Sequence, residues 1–332
     1  MQRIIFHIDV NNAFLSWTAV YLLNHGYKQD IRKIPSVIGG DEKARRGIVL
    51  AKSPIAKKYG IVTAETLYSA RSKCKTLQVF PPNYVFYKEQ SKRLYNYLSQ
   101  YTPIIEQYSI DECFIDLTGT SLLYGNDYVS LAHKIKDEIK EKFGFTVNVR
   151  IGENKLCAKM ASDFEKPDKV HTLYLSEVKT KMWPLKVNDL FMLGKSSAKK
   201  LNDLGIYTIK DLAEANINLL RRHFKSQGEY FKEAALGIDY SKVETRNAKN
   251  KCISISRTLP YDVTRKEDLL KILFSETEEV SFTLRNQKLY TGTIAVTYRN
   301  NLFKNYSHQI TLYNPTNVTE EIYKAVKHIV MI

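Results

Sequence analysis

At the start of the chain, the pattern of apolar residues changes within a few residues from that of a strand to that of a helix. The run from Ile4 to Ile8 predicts a buried strand that ends at Asp9. The segment from Ala13 to Leu23 then repeats apolar residues at helical spacing, and Gly26 closes it. An acid at a strand end lies at the rim of a sheet, so we expect Asp9 there.

A second helix is predicted by its end signals rather than by its length. The segment from Ser53 to Gly60 reads SPIAKKYG, with a capping Ser, a Pro at the first helical position and a closing Gly. We expect a short, well-delimited helix whose lysines are held on a compact element.

The middle of the chain alternates helical and strand patterns, with two strands joined by a tight bend at 109–110. The predicted helices are Lys88 to Tyr101, Ser121 to Lys142 and Asn154 to Phe164, and the predicted strands are Ile104 to Tyr108, Glu112 to Leu117, Thr146 to Ile151 and Val170 to Tyr174. This order indicates an α+β region, with an antiparallel sheet covered by helices on one face.

The C-terminal half divides into a helical part and a second α+β part. Short helices follow one another over 176–237, and the polar stretch 241–251 is typical of an exposed linker. After it come a predicted strand, a helix, two strands and a helix, at Ile253 to Leu259, Glu267 to Gln287, Thr293 to Arg299, Tyr306 to Leu312 and Thr319 to Ile332.

Charge and composition narrow the classes of function. The 332 residues carry a formal charge of +15, which suits a long polyanion, although a generally basic housekeeping protein has the same balance. The four cysteines form no C-x-x-C pair, so we expect a reduced cytoplasm and no structural zinc. No apolar run is long enough to span a membrane, so we expect no membrane partner.

The sharpest candidate for chemistry is the run Ser109-Ile110-Asp111-Glu112, because adjacent carboxylates at a hairpin bend repel unless a cation lies between them. Magnesium prefers hard oxygen ligands, and Asp9 on a neighbouring strand end would complete such a site. The alternatives are an ordinary Asp-Glu turn, and an Asp9 that only caps the following helix.

The order of motifs resembles a Y-family DNA polymerase of the bacterial DNA polymerase IV and UmuC type over nearly the whole chain. The strand-then-Asp opening appears as IFHIDV at 5–10, the S-[LI]-D-E hairpin within 108–114, and the N-K-x-x-A-K-x-A-S-D-x-x-K-P signature at 154–167. A helix-hairpin-helix segment at 190–198 follows at the position of the family's thumb.

The resemblance implies an α+β multidomain fold shaped like a right hand. It implies a palm from 1–12 and 80–172, fingers 13–79, a helix-hairpin-helix thumb 173–240, a linker 241–251 and an α+β little finger 252–332. The family's little finger closes with a further strand, so we expect that the chain is truncated at its C-terminus.

The implied activity is template-directed DNA synthesis past damaged bases, at low fidelity and without proofreading. Asp9, Asp111 and Glu112, with the backbone carbonyl of Val10, would hold two Mg²⁺ ions. No protein nucleophile is required.

Further residues are implied to bind the substrates. Phe14 would be a steric gate under the deoxyribose, while Lys57 and Lys166 would contact the triphosphate of the incoming deoxynucleoside triphosphate. Gly194, Lys195 and Lys199 would bind phosphates of primer-template DNA. The nucleotide-binding and DNA-binding residues together make up the implied substrate interface. The alternatives without a binding role are that Phe14 is a core residue, that the lysines are only solvated, and that the segment at 190–198 is an ordinary helical corner.

The sequence departs from the family at four positions close to these residues. Pro54 stands where an aromatic residue is frequent, Lys57 where Arg is frequent, Asn11 where a second acid is frequent, and Ala13 where the gate has a second aromatic. The changes at 54 and 57 remove a hydroxyl donor and a bidentate fork, which predicts weaker triphosphate binding.

Two other functions remain open on the sequence. One is a weakly active or inactive accessory subunit of the same fold that binds DNA. The other is a nucleotide cyclase, which shares strand-borne acids but should lack the helix-hairpin-helix and the basic C-terminal domain, and the sequence contains both of these. We expect a monomer, recruited by a sliding clamp through a tail that this chain lacks.

Overall fold

The computed structural model describes residues 2–161, 167–245 and 251–331. They divide into two compact units, the first formed by the described residues of 1–39 and 49–247 and the second by those of 40–48 and 248–332. In the described part of the chain, no helix combines the length and the apolar character needed to cross a membrane.

The first unit contains eight strands and eleven α-helices among its described residues. Its strands are β1 (Ile5–Val10), β2 (Ser36–Gly39), β3 (Val49–Lys52), β4 (Gln78–Phe80), β5 (Ile105–Gln107), β6 (Glu112–Asp116), β7 (Val147–Gly152) and β8 (Val170–Leu173). Its helices are α1 (Ala13–Asn24), α2 (Pro54–Lys58), α3 (Leu67–Lys73), α4 (Tyr84–Leu98), α5 (Ser121–Tyr124), α6 (Tyr128–Phe143), α7 (Lys155–Met160), α8 (Lys195–Asp203), α9 (Ile209–Glu214), α10 (Ile217–Phe224) and α11 (Ser226–Ala235).

The main sheet has the order β5-β6-β1-β7-β8, with β1 in the middle. All neighbours are antiparallel except β7 and β8, which are parallel. The expectation of an antiparallel sheet is therefore wrong at one edge, because α7 carries the chain back across the sheet so that β8 runs in the direction of β7.

Helices cover both faces of this sheet, which corrects the expectation of one covered face. Residues of α1, α4 and α6 pack with Phe6 and Ile8 in the main core. On the opposite face, Ala158 of α7 packs against Ile5 and Phe114. The rest of α7 joins the core of the helical segment α8 to α11, which confirms the predicted run of short helices.

Local end signals explain where two predicted helices differ from the observed ones. The helix predicted from Ser121 to Lys142 is divided into α5 and α6, because Gly125 has a φ of 72° and Asp127 caps the second helix by accepting a bond from Ser130 N. Likewise α4 begins four residues before the predicted start, since the Asn83 side chain accepts from Phe86 N.

A smaller sheet with the order β3-β2-β4 was not predicted from the sequence. Its strands have only three or four residues, which is too short for a clear period of two. The short helix predicted between residues 53 and 60 is confirmed as α2, capped by Ser53 and started by Pro54.

The second unit consists of α12 (Lys266–Asn286), β9 (Thr291–Arg299), β10 (Asn305–Thr316) and α13 (Thr319–Met331). The two helices pack on one face of the β9–β10 hairpin around Ile294 and Val296. The strand predicted from Ile253 to Leu259 is wrong: Ile253 packs on this core, but the segment forms no ladder in the described structure. Part of the predicted linker, 246–250, lies outside the described residues.

Ser53 gives a test of the fold, because its buried hydroxyl serves three backbone groups. It donates to Ile34 O at 2.7 Å and accepts from Ala56 N at 3.0 Å and Ser36 N at 3.2 Å. Ser53→Ala should lower the free energy of unfolding by about 1–3 kcal/mol. Urea denaturation measures this, with Ser99→Ala as the exposed control, and equal losses in both variants would contradict the role of Ser53.

Candidate active site

The candidate acids are positioned by the register of the central strand. Asp9 on β1 lies opposite Glu112 on β6 and Asn148 on β7, and His7 two residues earlier lies opposite Arg150. Because side chains alternate along a strand, these polar residues share the face that α7 covers, while their neighbours along β1 enter the main core. The sheet therefore gathers charged groups from three strands on one face.

Asp111 lies in the bend just before β6, where it is tied to the end of β1. Val10 N donates to Asp111 O at 3.0 Å, and Ser109 Oγ donates to the Asp111 carboxylate at 2.7 Å. The backbone amides of Tyr108 and Ser109 both donate to Glu112 O at 3.1 Å. These bonds close the hairpin tip against Val10.

A cavity of about 270 Å³ opens where β1 meets α1. It brings together four residues predicted from the sequence, Asp9, Val10, Phe14 and Asp111. Its remaining walls come from the turn that starts α1 and from β3, namely Asn11, Asn12, Ala13, Leu50 and Ala51. Three of the four predicted metal ligands and the predicted gate therefore line one cavity, whereas the fourth ligand, Glu112, is not among its lining residues.

Phe14 presents a ring that is held by other aromatic rings. It stacks on Tyr87 with centroids 4.7 Å apart and planes 11° apart, and it contacts Tyr84 edge-on and Trp17 at an angle. The ring thus has firm support from α4 although its neighbour is Ala13.

The turn before α1 is also fixed. Asn12 adopts a left-handed conformation, with a φ of 52°, and its side-chain amide donates to Lys52 O at 2.6 Å. An Asn tolerates this conformation more readily than most residues do. The bond ties the rim of the cavity to the end of β3.

Behind the acids, Arg150 links Asp9 to His7. Its Nη2 donates to Asp9 Oδ2 at 2.9 Å and its Nη1 lies 2.6 Å from His7 Nδ1. An arginine only donates, so His7 accepts at Nδ1 and carries its ring proton at Nε2. Burial lowers the pKa of His7 to about 4, and the charges of Lys159 and Arg150 act in the same direction.

Glu112 is held by Lys159, whose Nζ lies 2.6 Å from Glu112 Oε2 and faces the rings of Tyr108 and Phe191. Burial would raise the pKa of Glu112, but the contacts with His7 and Lys159 outweigh it and lower that pKa to about 2. Glu112 is consequently a carboxylate throughout the physiological range.

Asp111 is the acid whose surroundings favour a cation most clearly. Burial raises the pKa of Asp111, and the negative charges of Asp9 and Glu112 raise it further against the hydrogen bond from Ser109. Such repulsion between carboxylates is relieved by a bound cation.

The donor set fits a divalent metal. The cavity offers hard oxygen ligands from Asp9, Asp111 and the Val10 backbone. Within the described residues no group of three metal-ligating side chains is arranged around a common point. Oxygens of Asp9 and Glu112 instead face Arg150 and Lys159.

The predicted substrate-binding residues that the structure describes, apart from Phe14, do not line this cavity. Lys57 is exposed on α2. Gly194 caps α8, and Lys195 and Lys199 are exposed on that helix, as a helix-hairpin-helix requires. Lys166 lies outside the described residues.

Three ionisable neighbours of the acids were missed from the sequence. His7 could have been found by its spacing of two from Asp9 on a strand, and Lys159 by its place in the 154–167 signature. Arg150 is an isolated cation between Val149 and Ile151, and a buried strand seldom carries one without a partner.

Family models match three successive segments of the chain. The impB/mucB/samB family matches residues 8–163, the helix-hairpin-helix motif of the same family matches 176–206, and its C-terminal domain matches 250–331. The order of these segments is the order of motifs found in the sequence.

Curated relatives match nearly all of this chain. A DNA polymerase IV of Clostridium acetobutylicum is 52% identical, over 97% of this chain and 81% of the relative. The DNA polymerase IV 2 of Bacillus subtilis is 34% identical, over 99% of this chain and 80% of the relative. This chain belongs to the Y-family of DNA polymerases.

Solved structures of the Y-family agree with this. A Y-family DNA polymerase chimera of Dbh and Dpo4 superimposes with a TM-score of 0.84 at 25% identity, covering 99% of this chain and 93% of the other. A Dbh ternary complex gives a TM-score of 0.66 at 25% identity with the same coverage. The predicted α+β multidomain fold, with a helix-hairpin-helix segment and a C-terminal domain, is confirmed. Y-family DNA polymerases use divalent metal ions.

The buried His7 gives the site a measurable pH dependence. Its pKa in the folded protein, about 4, is below the ordinary value of 6.5. Stability from the neutral ring is therefore complete above 6.5 and is lost as the pH falls towards 4. Between about pH 7.5 and about pH 5.5 the wild type should lose about 1 kcal/mol of unfolding free energy through this ring.

The matched variant is His7→Gln, which keeps an acceptor for Arg150 but does not titrate. Urea denaturation of both proteins at the two pH values measures the difference, and titration of the other groups is common to both. Parallel pH profiles would show that His7 is not held neutral by its surroundings.

Proposed function

We propose that the chain extends a DNA primer along a template, past damaged bases, by nucleotidyl transfer at Asp9, Asp111 and Glu112. The observation that carries this proposal is the cavity in which Asp9, Val10 and Asp111 meet beside Phe14. We include low fidelity and the absence of proofreading, since the sequence offers no separate acidic cluster for an editing exonuclease.

Two Mg²⁺ ions are the cofactors that this proposal requires, and when bound they would lower the pKa of the primer 3′-hydroxyl and neutralise charge on the triphosphate. Asp9 near the end of β1 and Asp111 in the bend before β6 would hold them, with Glu112 and the Val10 carbonyl as further ligands. The protein contributes mainly position, because the register fixes these oxygens before substrates bind.

The incoming deoxynucleoside triphosphate would lie over Phe14, with Lys57 and Lys166 as its cationic contacts. Lys52 is a further cation near Lys57: burial lowers the pKa of Lys52, and the charge of Lys57 lowers it more. A triphosphate beside these lysines would relieve that repulsion.

Helix α8 would bind primer-template DNA at a place separate from the acids. Lys195 and Lys199 are exposed, and Gly194 precedes the first helical turn, where backbone amides can bind a phosphate. Such contacts position a duplex without reading its sequence, as an enzyme that copies any template requires. The division into palm, fingers, thumb and little finger at the boundaries given above belongs to the same proposal.

Asp111→Ala tests the metal assignment. Primer extension in Mg²⁺ should fall by several orders of magnitude, because the variant loses one of the carboxylates proposed to hold the metal ions. Binding of primer-template DNA, measured by fluorescence anisotropy, should stay close to wild type.

Asp137→Ala is the control, since Asp137 is an exposed acid on α6. Extension by Asp111→Ala at the wild-type rate would end the metal assignment. Wild-type protein that binds DNA but does not extend the primer would indicate an accessory DNA-binding subunit instead.

Phe14→Ala tests the steric gate. A flat ring under the sugar excludes a 2′-hydroxyl by contact, whereas an apolar pocket alone rejects an added hydroxyl only about a hundredfold. The variant should therefore accept ribonucleotides while it keeps most deoxynucleotide insertion.

The measurement is the ratio of kcat/KM for deoxynucleotide over ribonucleotide opposite one template base. Phe14→Tyr is the control, since it keeps a ring that can stack on Tyr87. A ratio near unity in the wild type, or one that does not fall in Phe14→Ala, would show that Phe14 is not the gate.

A further inference from the structure

Arg150 is an unusual residue for its place in the fold. It lies on β7, and its side chain is 0% exposed. Burying a guanidinium is costly unless hydrogen bonds and an opposite charge compensate it. Its neighbours along the strand, Val149 and Ile151, are core residues, so Arg150 is the one position of this strand segment that carries a charge to the opposite face.

The compensation comes from the proposed metal site. Asp9 accepts from Nη2 at 2.9 Å, and His7 accepts from Nη1 at 2.6 Å. Both partners lie on β1, two residues apart, and Arg150 lies directly opposite His7 in the register. The two strands therefore hold the guanidinium in a single orientation between an imidazole and a carboxylate.

We propose that Arg150 is a positioning residue for Asp9, which fixes the orientation of the carboxylate and weakens its attraction for cations. The proposal rests on the assignment of Asp9 as a metal ligand. His7 contributes by accepting the second N–H, which keeps the guanidinium plane aligned with the carboxylate. Glu112 has its own cation, Lys159, so Arg150 acts mainly on Asp9.

The two parts of this role have opposite consequences when Arg150 is removed. Loss of a positive charge next to Asp9 makes the acid site more negative, so that a divalent cation should bind more tightly. Loss of the two hydrogen bonds lets the carboxylate turn, and a small misplacement of a catalytic group can lower a rate by about a hundredfold. Tighter metal binding together with slower chemistry is not expected of a residue that only supports the fold.

The experiment compares Arg150→Met with Arg150→Lys. Mn²⁺ binding to the protein alone, without DNA or nucleotide, is measured by electron paramagnetic resonance, and kcat is measured by primer extension. Arg150→Met should bind Mn²⁺ roughly threefold to tenfold more tightly while its kcat falls about tenfold to a hundredfold.

Arg150→Lys keeps the charge but loses the fork that reaches both partners. Its Mn²⁺ affinity should stay within about twofold of wild type while its kcat still falls about tenfold. Arg32→Met is the matched control, because Arg32 makes a bidentate ion pair with Asp30 outside the acid site. It should change neither the affinity nor kcat.

Unchanged or weaker Mn²⁺ binding by Arg150→Met, or an unchanged kcat, would overturn the role of Arg150. If Arg150→Met does not fold, Arg150→Lys decides: a reduced kcat with wild-type Mn²⁺ affinity supports the proposal, and a wild-type kcat overturns it. Wild-type protein without Mn²⁺ binding would overturn the metal assignment as well, which separates the failure of the two ideas.

Discussion

The hydrogen bonding of β1 to an antiparallel partner on each side is the constraint on which the site depends. It places Asp9 opposite Glu112 on one side and Asn148 on the other, and it orients every second side chain of β1 to the same face. The carboxylates are thus brought together by backbone bonds, not by attraction among themselves. The backbone bonds of the sheet hold the carboxylates together against their mutual repulsion, and the nearby cations Arg150 and Lys159 reduce that repulsion.

The parts of the fold that the sequence predicted well are those with local signals. The strand that carries Asp9, the helix capped by Ser53 and the helical series after 176 each have a period, a cap or a stop within a few residues. The errors arise where one residue overrides a longer pattern, as Gly125 does between α5 and α6, or where strand pairing depends on distant segments, as for residues 253–259. The parallel pairing of β7 with β8 is also a property of the crossover, not of either strand.

The acids of the site were predicted from the sequence, whereas the cations beside them were not. Asp111 and Glu112 are adjacent in sequence, and a motif reveals them together with Asp9. Arg150 and His7 are 143 residues apart, and neither has a sequence signal that links it to the other. Their contact follows from strand order and register, and single-sequence reasoning supplies neither. The same holds for Tyr87, whose stacking under Phe14 depends on the packing of α4 against α1.

The register of the β5–β6 hairpin also limits how this protein can change in evolution. Cys113 is buried in the core beneath the sheet, between two residues that face the acid site. Losing or gaining one residue in the bend would move Cys113 to the acid face and turn Glu112 into the apolar core. A substitution in this bend alters one side chain, whereas a change of one residue in its length moves every side chain of β6 to the opposite face of the sheet. The residue count of the hairpin is therefore constrained in addition to the acids that it carries.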